Sequence, residues 1–382
     1  MNFEFNEDQK LIQRTIADFS DKRIAPTAAE RDRSGEFHLD ILCEMADLGL
    51  LGMSVPEEYG GSGAGMVAYA LAMMEIARGD ASVAISMSVT SMVAEIVYRL
   101  GTEEQRRKWL PLILSGDRPC GAFAITEPQA GSEAVNLHAK AVSDGGDWII
   151  NGAKQFITNG ETASVVLVMA VTDPEAQPKA RRITSFLVRH DNPGMQVSRR
   201  EEKMGLRSSN TVALNFDNCR VSDEDRLGDR GYGFITAMTT LDSGRLGVAS
   251  QAIGVGEAAL AAAVNYAKER EQFGKPIGKL QAIQWMLADC RTELDAAKLL
   301  LLRAAVKKDK GERYTREASM AKLYASEAAN RVANKALQIH GGYGYTMEYP
   351  LERYLRDLKV TTLYEGTSEV QRLVIARDLL RD

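Results

Sequence analysis

The stretch Leu363-Tyr364-Glu365-Gly366-Thr367-Ser368-Glu369 decides how the rest of the 382-residue chain is read. Glu365 precedes a glycine, which allows a sharp bend or a close approach to a ligand. Thr367-Ser368 then stands before an apolar-periodic run through Arg377, a pattern that predicts a helix N-cap. A carboxylate held at such a bend can be aimed into a cleft as a general base. Taken alone, Glu-Gly-Thr reads more simply as a surface turn with a solvated glutamate, so the remainder of the chain has to choose.

Working outward from that stretch, the preceding third is helical. Three long patterns, over 234–270, 280–309 and 314–339, are joined by short connections. At about 1.5 Å per residue each is long enough to cross a domain, and the series predicts an antiparallel bundle. Before it, residues 120 to about 230 change texture. Short β-type runs at 121–125, 148–150, 156–157, 165–171 and 183–188 are punctuated by turn signals at Asp144-Gly145-Gly146, Asn159-Gly160, Asp191-Asn192-Pro193-Gly194 and Asp217-Asn218,. The cluster Arg199, Arg200, Lys203 and Arg207 reads as an exposed loop. From Asn6 to about Ser115 the period is helical again: Leu11, Ile12, Thr15, Ile16 and Phe19 share one face,. The run 81–100 is small and apolar nearly all round, which fits burial between helices and equally a pocket wall. The organisation expected is an α+β multidomain protein, with an N-terminal α-helical domain (1–119), a middle β-barrel or sandwich domain (120–230) and a C-terminal four-helix-bundle domain (231–382).

Composition removes whole classes of function. The net charge is only −5 with 26% charged residues, so no field for a polyanion is built and nucleic acid is not the expected partner. Four widely spaced cysteines and four histidines, with no Cys-x-x-Cys, predict reduced thiols and no metal site. The start, Met1-Asn2-Phe3-Glu4-Phe5-Asn6-Glu7-Asp8, is acidic without an apolar core, so no secretory signal is expected. No uninterrupted apolar run reaches the roughly 20 residues of a spanning helix, so no membrane span is predicted. Gly254-Val255-Gly256-Glu257-Ala258-Ala259 superficially fits a dinucleotide fingerprint, but it lies inside a helical run with no strand before it. Small-residue helix packing is the expectation there.

Three further stretches belong with Glu365. Thr126-Glu127-Pro128-Gln129-Ala130-Gly131-Ser132 follows a strand, Arg270-Glu271-Gln272-Phe273-Gly274 ends a long helix, and Gln338-Ile339-His340-Gly341-Gly342-Tyr343-Gly344 ends another. They offer hydroxyls, a guanidinium, an aromatic face and bare backbone, together an apparatus for a large phosphorylated ligand. With 156–160 (Phe-Ile-Thr-Asn-Gly), Asp242-Ser243-Gly244-Arg245 and 364–369, all in sequence order, these stretches resemble the acyl-CoA dehydrogenase family over essentially the whole chain, and within it the short-chain (butyryl-type) branch.

That resemblance implies FAD held without a Rossmann fold, a homotetramer arranged as a dimer of dimers, and electrons handed to an electron-transferring flavoprotein. It places Phe123, Ile125, Thr126, Phe156, Ile157 and Thr158 around the isoalloxazine ring, and Thr367, Ser368 and Glu369 on the same FAD. Arg270, Phe273, Gln281, Gln338, Ile339, His340, Gly341 and Gly342 would reach pyrophosphate and adenosine, partly across a subunit interface. Ser132, Asp242, Arg245 and Gly366 would touch acyl-CoA, with Ala84, Ile85 and Ser88 at the far end of the acyl pocket. Glu365 would be the base that takes the α-proton. The implied compartment is the cytoplasm, or the mitochondrial matrix for a mature eukaryotic enzyme. An oxygen-using flavoenzyme of the same fold (acyl-CoA oxidase or flavin monooxygenase) and a non-catalytic helical interaction protein are the alternatives. Hydrogen peroxide release and the absence of bound flavin, respectively, would mark them.

Overall fold

The computed structural model describes residues 4–381. Met1-Asn2-Phe3, on which part of the signal-peptide expectation rests, and Asp382 lie outside them. Six helices form the first layer: α1 (Glu7–Phe19), α2 (Ala28–Ser34), α3 (Leu39–Asp47), α4 (Gly65–Gly79), α5 (Ala81–Leu100) and α6 (Glu103–Leu114). α1 starts where a capping box allows it: Asn6 Oδ1 accepts from the Gln9 amide at 2.8 Å, and Gln9 Oε1 accepts from the Asn6 amide,. α5 is buried on all sides as far as Val97. Two of its hydroxyls tolerate that by bonding to backbone, Thr90 to the Ser86 carbonyl and Ser91 to the Leu51 carbonyl, both at 2.8 Å,.

The β domain contains β1 (Gly121–Ala124), β2 (Lys140–Asp144), β3 (Asp147–Thr158), β4 (Val165–Val171), β5 (Ile183–Arg189), β6 (Met195–Arg200), β7 (Thr211–Ser222) and β8 (Arg226–Leu227). They form one eight-stranded sheet in the order β6-β7-β3-β2-β4-β5-β8, with β1 parallel to β4. A single parallel pair, Lys140 with Val171, joins β2 to β4, and the sheet folds over there. Trp148 of β3 meets Phe186 of β5, ring centroids 5.5 Å apart, although the two strands are not neighbours. The barrel-or-sandwich expectation thus takes the form of one sheet folded on itself. Two sequence readings are corrected. Asp217-Asn218 is not a turn but an irregular point inside β7, where Asn218 has φ 49° and its amide donates to Asn151 Oδ1. Arg199 and Arg200 are the end of strand β6, not a loop.

The third unit is α7 (Gly233–Glu269), a hairpin of β9 (Glu271–Gln272) and β10 (Lys275–Pro276), then α8 (Gln281–Asp309), α9 (Thr315–His340), α10 (Leu351–Lys359) and α11 (Ser368–Leu379). The fourth member of the bundle is divided between α10 and α11, both against α9. α7 also packs on α4 and α5, and the glycines of the rejected fingerprint explain how closely. A Cβ at Gly254 would lie 2.2 Å from the Met74 carbonyl oxygen. By length and composition alone Ala81–Leu100 and Gly233–Glu269 could cross a membrane. Their apolar surface is used inside the fold, since 94% and 78% of the most apolar windows are buried,.

All three units meet at one junction. Arg356 of α10 pairs with Asp32 of α2 at 2.6 Å and also donates to the Met204 carbonyl. The next residue, Asp357, accepts from the Leu206 amide at 2.7 Å.

Candidate active site

Glu365 stands on the turn between α10 and α11, with φ 53°, followed by Gly366 at φ 88°. A residue with a Cβ enters the left-handed region only at a cost, of order 1–3 kcal/mol where the surroundings enforce it. Three contacts enforce it here. The amide of Gln371 donates to the carbonyls of Glu365 (3.0 Å) and Gly366 (2.9 Å), and Lys322 Nζ donates to the Gly366 carbonyl at 2.8 Å. Downstream, Thr367 caps α11 by accepting from the Val370 amide, as the sequence predicts.

The turn aims the side chain over α7. A Cβ at Gly244 would fall 2.5 Å from Glu365 Oε2 and 2.8 Å from Met92 Sδ, so the missing side chain of Gly244 is what gives the carboxylate its place. Glu365 Oε2 is buried and has no hydrogen-bond partner. Burial pushes the carboxyl up to about 7, against the pull of the Arg245 and Lys322 charges,. Arg245 is paired with Asp242 at 2.5 Å, and Asp242 accepts from Thr315 at 2.7 Å. The buried polar atoms without partners include Arg245 Nε, Ser368 Oγ and Gln371 Oε1 besides Glu365 Oε2. Native interiors rarely leave such groups unpaired, so their clustering around one turn is the mark of a ligand site.

Beyond Glu365 the wall continues along α7. One turn on, a Cβ at Gly247 would meet Ser88 Oγ at 2.2 Å and the Tyr69 hydroxyl at 3.0 Å. A further turn on, Gln251 donates to the Ala81 carbonyl at 2.8 Å and accepts from the Tyr364 hydroxyl. Ala84, Ile85 and Ser88 are all buried in α5 on this side of the N-terminal domain.

The β-domain residues expected at a flavin lie together at the ends of β1 and β3. Phe123, Ile125 and Ile157 are buried, while Thr126 and Thr158 are half-buried. Phe156 interrupts the β3–β7 register with φ 60° and is 62% exposed, an aromatic face turned out of the sheet. Lys154 and Glu127 form a buried pair at 2.7 Å, and Lys154 also donates to the Ile125 carbonyl. This pair holds the Thr126 loop. Ser132 is exposed on that loop.

The remaining expected residues do not join this group. Arg270, Ile339, His340, Gly341 and Gly342 line a separate cavity of about 470 Å³ on the C-terminal domain, together with Tyr266 and Tyr343. A side chain at Gly341 or Gly342 would meet nothing within 4 Å, so this backbone is open to a ligand. His340 is stacked on Tyr266 at 4.2 Å, and its Nδ1 bonds to the Ala336 carbonyl. Gln281 and Gln338 are exposed beside it, and Glu369 is exposed at the start of α11. Phe273 is 88% exposed at the tip of the β9–β10 hairpin, where Phe273 and Gly274 both have positive φ,.

Sequence reasoning missed the supports of Glu365: Lys322, Gln371, Gln251 and Gly244. A signal for one of them was present. Lys322 falls on a buried face of α9 made of small residues, Ala318, Ser319, Ala325, Ser326 and Ala329, and a lone cation among them calls for an explanation.

Comparison with known proteins identifies the family. Family models for the N-terminal, middle and C-terminal domains of acyl-CoA dehydrogenase match residues 6–117, 122–219 and 231–380. The human mitochondrial short-chain specific acyl-CoA dehydrogenase is 46% identical over 379 residues, 99% of this chain and 91% of that one. Butyryl-CoA dehydrogenase from Megasphaera elsdenii superposes with a TM-score of 0.97 at 42% identity, over all of both chains. A chain from the structure of the electron transferring flavoprotein of Acidaminococcus fermentans superposes with a TM-score of 0.97 at 45% identity, again over the full length of both. With all three domain models matched in order and relatives near half identical from end to end, the chain belongs to the acyl-CoA dehydrogenase family.

Proposed function

We propose that the protein oxidises an acyl-CoA thioester to the trans-2-enoyl-CoA, with Glu365 as the base that removes the α-proton. The observation that carries this reading is the buried Glu365 carboxylate, unpartnered at Oε2, held on a strained turn above Gly244. A base whose pKa lies near the working pH transfers protons most effectively, and about 7 is such a value. The amide N–H of Glu365 is engaged by no carbonyl among the described residues. It is therefore free to donate to the thioester oxygen, where one such donor contributes ~3–4 kcal/mol as enolate charge develops. Arg245, Asp242, Ser132 and Gly366 would contact and orient the CoA thioester.

The cofactor is FAD, the cofactor of the family, and the residues present fit it. Phe156 offers an outward-facing ring, Ser368 Oγ is buried without a partner, and Thr126 and Thr158 are half-buried hydroxyls beside and within the Phe156 strand. Bound there, FAD would supply the two-electron oxidant for the β-hydrogen, leaving as hydride, with an electron-transferring flavoprotein as the next acceptor. Phe123, Ile125 and Ile157 shield the reacting atoms from water. Arg270, Gln281, Phe273 and residues 338–342 sit apart from this group, which fits service to the flavin of a neighbouring subunit in a homotetramer. The tie from Tyr364 through Gln251 to the Ala81 carbonyl closes the path along α7 two turns beyond Glu365, and this favours a short or compact acyl chain. The compartment is a reducing one, cytoplasmic or mitochondrial matrix. Cys120 and Cys219 are buried free thiols, each pushed up to about 12 by burial.

The test is anaerobic flavin bleaching by a panel of straight-chain, branched and cyclic acyl-CoAs. Bleaching by short or compact members is expected. Bleaching by none, or stoichiometric hydrogen peroxide release during turnover in air, refutes the dehydrogenase reading.

A further inference from the structure

We infer that Lys322 is a positioning residue for the base: its ammonium fixes the turn that carries Glu365 and sets an uncompensated positive charge beside the carboxylate. The inference rests on the reading of Glu365 as the base.

Lys322 is 0% exposed. A buried ammonium loses its hydration and normally recovers the loss by closing on a carboxylate. Lys322 donates instead to a neutral group, the Gly366 carbonyl, at 2.8 Å. That carbonyl follows directly on Glu365, and it already accepts from Gln371. Two donors therefore converge on the second of two successive left-handed residues, and the strained Glu365 conformation is held from outside. Without them the turn has no reason to keep its side chain above Gly244.

The charge matters as much as the bond. The groups facing the Glu365 carboxyl are Arg245 from α7, Lys322 from α9, Tyr69 from α4 and the adjacent Tyr364. Asp357 of α10 acts on Tyr364. Both phenols are held in the neutral form by burial. Arg245 is largely compensated by Asp242 at 2.5 Å. The carboxylates whose fields reach Lys322, apart from Glu365, are Glu369, which is exposed, and Glu327, which is engaged with Arg372. Lys322 is thus the cation near Glu365 that no other carboxylate touches. Burial lowers it to about 8, so it is mostly charged at neutral pH and favours the ionised, proton-accepting form of Glu365.

The experiment uses the full-length, FAD-loaded protein with Lys322→Met, Lys322→Gln, Gln371→Met and Glu365→Gln, on an acyl-CoA accepted by the parent. Two quantities are read: the pH profile of flavin reduction, and solvent deuterium uptake at the acyl α-carbon on dithionite-reduced enzyme, where no oxidation can follow. Lys322→Met should move the acidic limb up by roughly one pH unit and slow both processes about tenfold below the limb, with KM little changed. Lys322→Gln keeps a donor for Gly366 without the charge, so it should move the limb with less loss at high pH. It also decides the matter should Lys322→Met not fold. Gln371→Met should slow both processes without moving the limb. An unmoved limb in both Lys322 variants, with parental exchange, overturns the inference. The base reading fails separately, if Glu365→Gln still reduces flavin and exchanges the α-proton at near-parental rates.

Discussion

One added methyl group, Gly244→Ala, tests the geometry of the site more directly than removal of any side chain. The new Cβ would lie 2.5 Å from Glu365 Oε2, 2.8 Å from Met92 Sδ and 3.1 Å from Glu365 Cδ. Ordinary contact is near 3.5 Å, so the carboxylate has to retreat by about 1 Å, a misplacement that costs on the order of 10²-fold in rate. The effect on stability is much smaller. Alanine in a helix interior is favoured over glycine by ~1 kcal/mol, while overpacking costs ~1–3 kcal/mol, leaving a net loss of roughly 0–2 kcal/mol. Gly256→Ala is the matched control, in the same helix. Its Cβ would meet Leu294 Cδ2 at 2.7 Å, the mobile end of a side chain away from Glu365. Anaerobic stopped-flow bleaching and Tm are measured on both FAD-loaded variants. The expected result is a large loss of reduction rate in Gly244→Ala alone, with similar small changes in Tm. A parental rate in Gly244→Ala with an intact Tm would refute the placement of the carboxylate above this helix.

Three further outcomes are expected. Glu365→Gln keeps shape and hydrogen bonding but not basicity, so it should stay yellow, bind acyl-CoA and lose flavin reduction by ~10²–10⁴-fold or more; stopped-flow bleaching checks this. Arg270→Ala should weaken FAD retention by ~1.5–3 kcal/mol through loss of a charge-assisted phosphate contact, read as flavin-to-protein ratio after gel filtration, and unchanged retention would remove Arg270 from the cofactor site. Asp357 is pushed up by burial from 3.8 to about 7, so between those values the folded protein keeps a proton that the unfolded chain releases, and stability falls as pH rises through this window. Asp357→Asn keeps the acceptor for the Leu206 amide but cannot titrate. Its Tm should decline less steeply over that range, and a parental slope would show that Asp357 ionises freely in the fold.

Much of the fold was legible because its elements carry strong local signals. The 37-residue α7, α5 and β4 all stand where periodicity and apolar runs put them. Strands β2, β6 and β7 carry weak signals, since each presents an exposed, polar face to water, and alternation of that kind is short and easily read as loop. The strand order of the folded sheet was not legible, because its closure depends on a single pairing, Lys140 with Val171, between strands separated by β3. The site divides in the same way. Glu365, Arg270 and Phe156 sit in motifs readable as strings. Asp32 and Arg356, 324 positions apart, make a junction that no local window contains.

The supports of Glu365 belong to that second kind, and they explain a requirement the motif does not express. The α-hydrogen of a thioester is a very weak acid, so a base must be strong to remove it, and burial supplies that strength by penalising the ionised carboxylate. Burial alone would leave Glu365 protonated and inert at neutral pH. Arg245 and Lys322 oppose the desolvation, and the balance settles near 7, where the carboxylate is both available and basic. Arg245 contributes less than its proximity suggests, because Asp242 neutralises it and Thr315 holds Asp242 in place. The remaining charge stands on a small-residue face of α9, where the carbonyl of the strained turn receives it. The cost of burying an ammonium there becomes intelligible once the same group fixes the turn and biases its carboxylate, since fixing the turn alone could have been left to a neutral amide such as that of Gln371.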